Sequence, residues 1–292
     1  MYAAALGELQ FGECDMRVPS GEDRYAHTYW RSIGSDEATP QQLAAKTTRL
    51  VQELGAMASP GALPLSPASS VFLRVDEERV DVMRVLITGP AGTPYGYGAW
   101  TFDLYCPPAF PEVPPVVTVL TTGAGRFRSN PNLYANGKVC LSLLGTWKGA
   151  EHEKWNAKTS TLLQVFVSIQ SLIFVEQPYF NEPGHEATLN TPAGDLASAA
   201  YSATIRAGTL RWAILEPLRN PPAGFEDVVR EHFRRVAAPL REQLELWRSA
   251  ASAAGAAAGA AAGTQAPTSL GSSTLDPLVA DVLAELECNS AS

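Results

Sequence analysis

One cysteine in a polar loop is the residue of this sequence best placed to do chemistry. Cys140 closes the segment NPNLYANGKVC (130–140) and follows the turn-forming pair Asn136-Gly137, so its thiol need not be buried. Most lone cysteines are small core residues, and a reactive role needs support from the surroundings. A cysteine hydrolase would require a histidine oriented by an acid. The nearest histidines in sequence, His152 and His185, lie among charged or loop residues without such an acid.

A thiol without a basic partner can still accept an acyl group from a thioester. Exchange between a thiol and a thioester is close to isoenergetic, so it demands access and some thiolate rather than strong activation. It also needs a hydrogen-bond donor for the developing oxyanion, and losing one such donor typically costs about 10²–10³ in rate. Asn132, eight residues before Cys140 in a rigid Pro-Asn turn, is the candidate donor. Its alternative role is to tie the loop through backbone hydrogen bonds, and the two roles are compatible.

Hydrophobic periodicity indicates the elements that would position this loop. Thr39 and Pro40 mark a helix start, because threonine can cap and proline at the first helical position needs no partner for its missing N–H. Four apolar stretches with short, turn-marked links follow, which predicts an antiparallel meander of four strands. Trp100, Phe102 and Leu104 alternate with polar residues as in a half-buried strand. The four stretches are 71–75, 80–87, 100–104 and 116–120.

The loop itself spans residues 122–158 and is irregular and polar. A loop of this length inside a compact domain is usually functional or disordered, and its well-patterned flanks favour function. The next segment, 162–175, has apolar spacing that fits a strand and a helix alike. Its length and the capping residues in 159–161 favour a mostly buried helix that ends at Pro178.

Composition divides the rest of the chain. Helices are predicted in 201–215 and 225–247, and Pro239 is expected to kink or split the second. Alanine and glycine then dominate a segment that predicts a flexible linker, followed by an amphipathic helix that either docks on the domain or binds a partner. The predicted parts are an irregular N-terminal arm (1–38), a core with a helical extension (39–248), the linker (249–274) and the short C-terminal helix (275–292).

Composition and charge exclude several classes of function. The chain has 292 residues and a formal net charge of −8, so it is a poor candidate for holding nucleic acid through bulk charge. No run of about eighteen apolar residues predicts a membrane span, and the N-terminus lacks the basic start of a secretory signal. Four cysteines without CxxC spacing and four scattered histidines favour a reducing compartment and disfavour a metal site. We expect a cytoplasmic or nuclear protein without a metal or organic cofactor.

The motifs occur in an order that resembles the ubiquitin-conjugating (E2) enzyme family. The order and spacing match over roughly residues 39–190, from ITGP (87–90) and TPY (93–95) through NPN (130–132) and Cys140 to Trp155. In that family a cysteine eight residues after the asparagine of a His-Pro-Asn motif carries ubiquitin as a thioester. Here Asn130 stands in place of that histidine, which puts the local hydrogen bonding of the loop in question.

The resemblance is closer to one branch of the family, the giant hybrid E2/E3 proteins. Asparagine replaces the motif's histidine in that branch too. The similar segments are 130–146, 155–170 and 178–184, and the likeness continues to about Phe233. The resemblance implies an α+β, UBC-like fold: an N-terminal helix, a four-stranded antiparallel meander, the active-site loop, and C-terminal helices with a helical extension.

The same resemblance implies the roles of the site residues. Cys140 takes ubiquitin from the E1 thioester and passes it to a substrate lysine, Asn132 stabilises the oxyanion, and Glu182, where many E2 enzymes carry an acid, helps to place or desolvate the lysine. The implied partners are ubiquitin, the ubiquitin-activating E1, substrate proteins and, unless the enzyme selects its own substrates, an E3 ligase. Two alternatives stay open: a non-catalytic E2-like scaffold, which the presence of Cys140 disfavours, and a conjugating enzyme for another ubiquitin-like modifier.

An insertion distinguishes this chain from a minimal E2. Residues 146–154 are extra, carry several charges, and by resemblance lie beside the active site. They could cover the thioester, select the acceptor, or be a solvated loop. On the surface that E2 enzymes use for RING-type ligases, Glu112 replaces a common aromatic residue, which weakens the inference of a standard RING partner.

Overall fold

A five-stranded sheet with helices on both faces forms the centre of the computed structural model, which describes residues 1–17, 26–35, 37–260 and 272–291. In this part of the chain the strands lie in the sheet in their sequence order. The last four make the antiparallel meander that the sequence predicts, which confirms the α+β class. The strands are β1 (Phe11–Cys14), β2 (Val71–Asp76), β3 (Val82–Thr88), β4 (Ala99–Tyr105) and β5 (Val116–Val119).

Helices precede and follow the sheet. Two helices begin at threonine N-caps that the sequence predicts. The Thr39 side chain accepts from the backbone N–H of Gln42 and the Thr161 side chain from that of Gln164, each in a reciprocal capping box. The second cap confirms the helix expected at 162–175, whose last turn is π-helical. The helices are α1 (Tyr2–Leu6), α2 (Trp30–Ser35), α3 (Pro40–Met57), α4 (Leu162–Ser168), α5 (Pro192–Gly208), α6 (Glu216–Arg219), α7 (Glu226–Ala260) and α8 (Ser272–Ala291).

Both faces of the sheet are covered, so the expectation of a half-buried β4 is wrong. Alternate residues of a strand point to opposite faces. Phe102 of β4 belongs to a core shared with α3 and α4. Ala99 of the same strand belongs to a second core with α1, α7 and α8. Every residue of β4 is therefore buried. The polar residue Asp103 is buried too, where its carboxylate accepts from Arg84 Nε at 2.7 Å and from the Thr28 N–H at 2.7 Å.

The prediction that the N-terminal arm, 1–38, is irregular is wrong. It contains α1, β1 and α2, and β1 pairs in parallel with β2, with Phe11 opposite Leu73 and Cys14 opposite Asp76. The strand has only four residues, so it offers no periodicity to detect. It forms because the edge of β2 supplies its hydrogen-bond partners.

The prediction of a flexible linker at 249–274 is also wrong for the first part of that segment. Helix α7 runs through Pro239 without ending there and continues to Ala260. Val236 and Leu240 on either side of the proline are fully buried in one core, which offsets the missing hydrogen bond, and alanine is the strongest helix former. Residues 261–271 lie outside the described residues.

Helix α8 docks on the domain, which is one of the two alternatives left open for it. Its apolar face, which includes Val279 and Val282, is buried against α7. Ion pairs flank this contact, between Arg219 and Glu285 at 2.6 Å and between Arg248 and Asp276 at 3.1 Å. No helix in the described ranges is long and apolar enough to cross a membrane.

A buried histidine of α7 links α1 to the loop between β3 and β4 and predicts a pH dependence of stability. His232 Nε2 donates to the Tyr97 carbonyl at 2.9 Å, and the Tyr2 hydroxyl lies 2.7 Å from Nδ1. Burial lowers the pKa of His232 to about 4 from its ordinary value of 6.5. As the pH falls from 6.5 towards 4, the unfolded chain takes up a proton that the folded chain refuses, so the free energy of unfolding falls.

We therefore expect wild type to lose more stability between pH 7 and pH 5 than His232→Gln, by about 2 kcal/mol. Glutamine can keep the donation to Tyr97 but does not titrate. Urea unfolding at both pH values measures the difference, and other titrating groups affect both proteins equally. Equal losses in the two proteins would show that His232 does not carry this dependence.

Candidate active site

A small hairpin sets Asn132 opposite Cys140. Gly137 turns the chain with φ +91°, and its N–H donates to the Tyr134 carbonyl at 3.0 Å. Leu133 pairs with Val139 in antiparallel fashion, and the Cys140 N–H donates to the Asn132 carbonyl at 2.9 Å. The eight-residue spacing noted in the sequence is thus the length of two short arms and a turn.

The Asn132 side chain is part of the same contact. Its Nδ2 donates to the Cys140 carbonyl at 2.9 Å, so the backbone of Cys140 is held on both sides. This is the loop-tying role that the sequence left open. A side-chain amide carries two N–H donors, so one of them is not used by this bond.

Cys140 is buried, although the sequence suggested that it need not be. Only 1% of the residue is accessible, yet it lines a cleft of about 1150 Å³ that reaches the surface. Burial raises the pKa of the Cys140 thiol, and the charges of Lys138 and Arg128 oppose this without cancelling it. The thiol is therefore mostly protonated near neutral pH, which suits exchange with an activated acyl group better than attack on an amide.

Asn130, in the place of the family's histidine, connects the loop to the core. It is fully buried, and its Nδ2 lies 2.8 Å from both the Tyr95 hydroxyl and the Ile173 carbonyl. Its Oδ1 accepts from the Asn132 backbone N–H at 2.8 Å. The doubt about the loop's hydrogen bonding is thereby resolved, because the asparagine satisfies each of these groups itself.

Thr146 holds the neighbours of Cys140 in place, a role that was not predicted from the sequence. Its hydroxyl donates to the Val139 carbonyl at 2.7 Å and accepts from the Leu141 N–H at 3.0 Å. The residues on both sides of Cys140 are thus tied to one side chain. Thr146 directly follows Gly145, which has φ +67°. A Gly-Thr pair is too common in sequences to predict this role.

Glu182 does not line the cleft. Its carboxylate lies 3.0 Å from Arg128 Nη2 and forms an ion pair that is about two-fifths exposed. Its neighbour Asn181 lines the cleft instead and donates to the Leu172 carbonyl at 3.1 Å. The structure brings Asn132 and Cys140 together and places Glu182 outside the lining of the cleft, next to Asn181.

Helix α4 and the insertion form the other walls of the cleft. Leu163, Val167 and Leu172 face it from the helical side, and the last two are among the exposed large apolar residues. Residues 147–148 and 151–154 face it from the insertion. Among the residues that the structure describes, no cluster of histidine, cysteine and acidic side chains could hold a metal ion.

Comparison with known proteins places this site in a family. Residues 62–205 match the model of the ubiquitin-conjugating enzymes. The chain is 47% identical over 84% of its length to the human "Dual E2 ubiquitin-conjugating enzyme/E3 ubiquitin-protein ligase BIRC6". It is 46% identical over 85% of its length to the "Probable ubiquitin-conjugating enzyme protein 17" of Caenorhabditis elegans. These matches confirm the similarity to hybrid E2/E3 proteins and, with the sheet and helices above, the UBC-like fold.

The chain spans only a small part of these relatives, 5% of the human protein and 34% of the nematode protein. Among solved structures, it is similar to the E2 domain of a Toxoplasma gondii ubiquitin-conjugating enzyme, with 21% identity over 59% of this chain and 99% of the other. The TM-score of that superposition is 0.38, so the fold assignment rests on the family match instead.

Proposed function

The chain belongs to the ubiquitin-conjugating enzyme family through its domain at residues 62–205, and we propose that it acts as an E2 enzyme. Cys140 accepts ubiquitin from the E1 thioester and passes it to the lysine of a substrate protein. The observation that carries this proposal is the hairpin that fixes Asn132 against the backbone of Cys140 at the end of an open cleft.

Charging is a thiol–thioester exchange. Cys140 Sγ attacks the carbonyl of the E1-bound ubiquitin, a new C–S bond forms, and the E1 thiol leaves with the proton that Cys140 gives up. The raised pKa of Cys140 limits the thiolate fraction, but the two thioesters are nearly equal in energy, so strong activation is not required.

Transfer is an aminolysis of the Cys140 thioester. The lysine amine attacks the carbonyl, a C–N bond forms, the C–S bond breaks, and Cys140 leaves as a thiolate that regains a proton. Negative charge collects on the carbonyl oxygen in the transition state. We assign its stabilisation to Asn132, because the amide has a second N–H beyond the one bound to the Cys140 carbonyl.

Glu182 is the third residue of the proposed site, and its carboxylate would help to place or desolvate the acceptor lysine from its position next to Asn181. Arg128 neutralises it in the structure. This role therefore requires an acceptor that separates Glu182 from Arg128.

The proposed partners follow from the reaction. They are ubiquitin, the E1 enzyme, substrate proteins and, where the chain does not select substrates itself, an E3 ligase. The human relative's name joins E2 and E3 activities, which supports substrate selection without a separate ligase. A thiol carrier requires a reducing compartment, and the four cysteines lie far apart in sequence without CxxC spacing, which supports a cytoplasmic or nuclear location.

A charging assay with E1, ATP and ubiquitin tests the proposal. We expect wild type to form an adduct that a thiol reductant cleaves, and Cys140→Ser to form a reductant-stable ester or none. Cys288→Ser is the matched control, because Cys288 is an exposed cysteine that does not line the cleft. Non-reducing and reducing gels give the readout. A folded wild type that stays uncharged would contradict the proposal, and a panel of other ubiquitin-like modifiers would follow.

A further inference from the structure

The insertion, defined here as residues 146–154, forms one wall of the cleft, although most of its residues are exposed to solvent on their other side. Gly149 packs so closely on Ser142, two residues after Cys140, that a Cβ built at Gly149 would overlap the serine Oγ. After the insertion, Trp155 Nε1 donates to the Pro111 carbonyl at 2.7 Å, and its ring packs on Phe110. The middle of the insertion and the residue that follows it are thus attached to the domain.

The carboxylates that line the same cleft as Cys140 come from this wall. Of the residues described as lining the cleft, only Glu151 and Glu153 are acidic. Glu151 is paired with Lys154 at 2.7 Å and is almost fully exposed. Glu153 is exposed as well, but its Oε2 lies so close to Gly149 that a Cβ built there would overlap it as well as Ser142 Oγ.

The negative charge of Glu153 is not neutralised by a neighbour in the described part of the chain. Its Oε2 accepts from the Ala150 backbone N–H at 2.9 Å, and no ion pair with a basic side chain is formed there. The carboxylate is therefore held in place by a backbone bond while its charge faces the space beside Ser142. A fixed, uncompensated carboxylate at the wall of a cleft attracts cations.

We infer that Glu153 is the positioning residue that draws the acceptor lysine towards Cys140, an inference that rests on the proposed E2 function. The ammonium form binds at Glu153, loses a proton to solvent, and the neutral amine then attacks the thioester. A carboxylate favours the protonated lysine, so it raises the local concentration of lysine without activating it. Glu153 thus acts on the concentration of lysine needed for half-maximal rate rather than on the maximal rate.

The substitution Glu153→Gln separates this role from a structural one. The glutamine carbonyl oxygen can still accept from the Ala150 N–H, so the shape of the insertion is kept and only the charge is lost. Glu151→Gln is the matched control, because it removes the same charge from the same insertion at a position paired with Lys154.

The experiment charges each protein with ubiquitin, removes E1 activity, and follows discharge of the thioester to free lysine or to hydroxylamine. Lysine is a cation near neutral pH, whereas hydroxylamine is a neutral nucleophile. We expect Glu153→Gln to need about fivefold more lysine for half-maximal discharge, with hydroxylamine discharge unchanged. Glu151→Gln should resemble wild type with both nucleophiles.

Several results would overturn the inference. Equal slowing with lysine and hydroxylamine would mean that Glu153 only supports the shape of the loop. Equal effects of Glu151→Gln and Glu153→Gln would mean that the insertion acts through its overall charge. If only Glu182→Gln raised the lysine concentration needed for half-maximal discharge, Glu182 rather than Glu153 would position the acceptor lysine. A wild type that never charges would instead overturn the proposed function itself.

Discussion

Asn132→Ala is expected to slow discharge of the Cys140 thioester to lysine by about 10²–10³-fold while charging by E1 stays near the wild-type rate. Aminolysis develops more charge on the carbonyl oxygen than exchange between two nearly isoenergetic thioesters, so it depends more on an oxyanion donor. The donor interaction exists only in the transition state. The maximal discharge rate should therefore fall, with little change in the lysine concentration needed to reach half of it.

Asn181→Ala provides the matched control, because Asn181 is a second side-chain amide that lines the same cleft. It is expected to discharge within about twofold of wild type. Thermal unfolding distinguishes the oxyanion role from an alternative explanation. In that alternative, Asn132→Ala only loosens the loop, because the bond to the Cys140 carbonyl is lost. A loosened loop would slow charging and discharge together and lower the melting temperature. A larger discharge defect in Asn181→Ala would give the oxyanion role to Asn181.

Features of this protein that depend on neighbours in sequence were predictable. The hairpin around Asn136-Gly137 and the caps at Thr39 and Thr161 follow from residues within a few positions of one another. So does the meander, whose strands are joined by short links. Local turn chemistry and periodicity carry enough information for such elements.

Features that depend on distant partners were not predictable in this way. Strand β1 exists because β2 offers an edge, and α7 passes Pro239 because the core holds both of its halves. In the site, the pairing of Arg128 with Glu182 joins residues 54 positions apart, so a role for Glu182 could be predicted but its partner could not. Burial of Cys140 likewise follows from elements that surround the loop rather than from the loop itself.

The replacement of the family's histidine by Asn130 leads to the largest expected effect on stability. Asn130→Ala leaves the Ile173 carbonyl and the Asn132 N–H without their buried partner, and removes the donor to the Tyr95 hydroxyl. An unsatisfied buried polar group costs about 1–3 kcal/mol. We expect Asn130→Ala to lose about 3 kcal/mol of unfolding free energy, measured by urea unfolding, and to discharge to lysine more slowly, because Asn132 is no longer held opposite Cys140.

The variants Asn130→His and Asn136→Ala make this prediction specific. A neutral imidazole has one donor and one acceptor, whereas the asparagine amide offers two donors and an acceptor, so histidine can satisfy fewer of the groups around position 130. Asn130→His should therefore lie between wild type and Asn130→Ala in stability. Asn136 is exposed in the same loop and bonds only locally, to the Lys138 N–H, so its alanine variant should lose less than about 1 kcal/mol. If Asn130→His were as stable as wild type, the stability of this loop would not depend on the second N–H donor of Asn130. The presence of asparagine instead of histidine at this position would then need a different explanation.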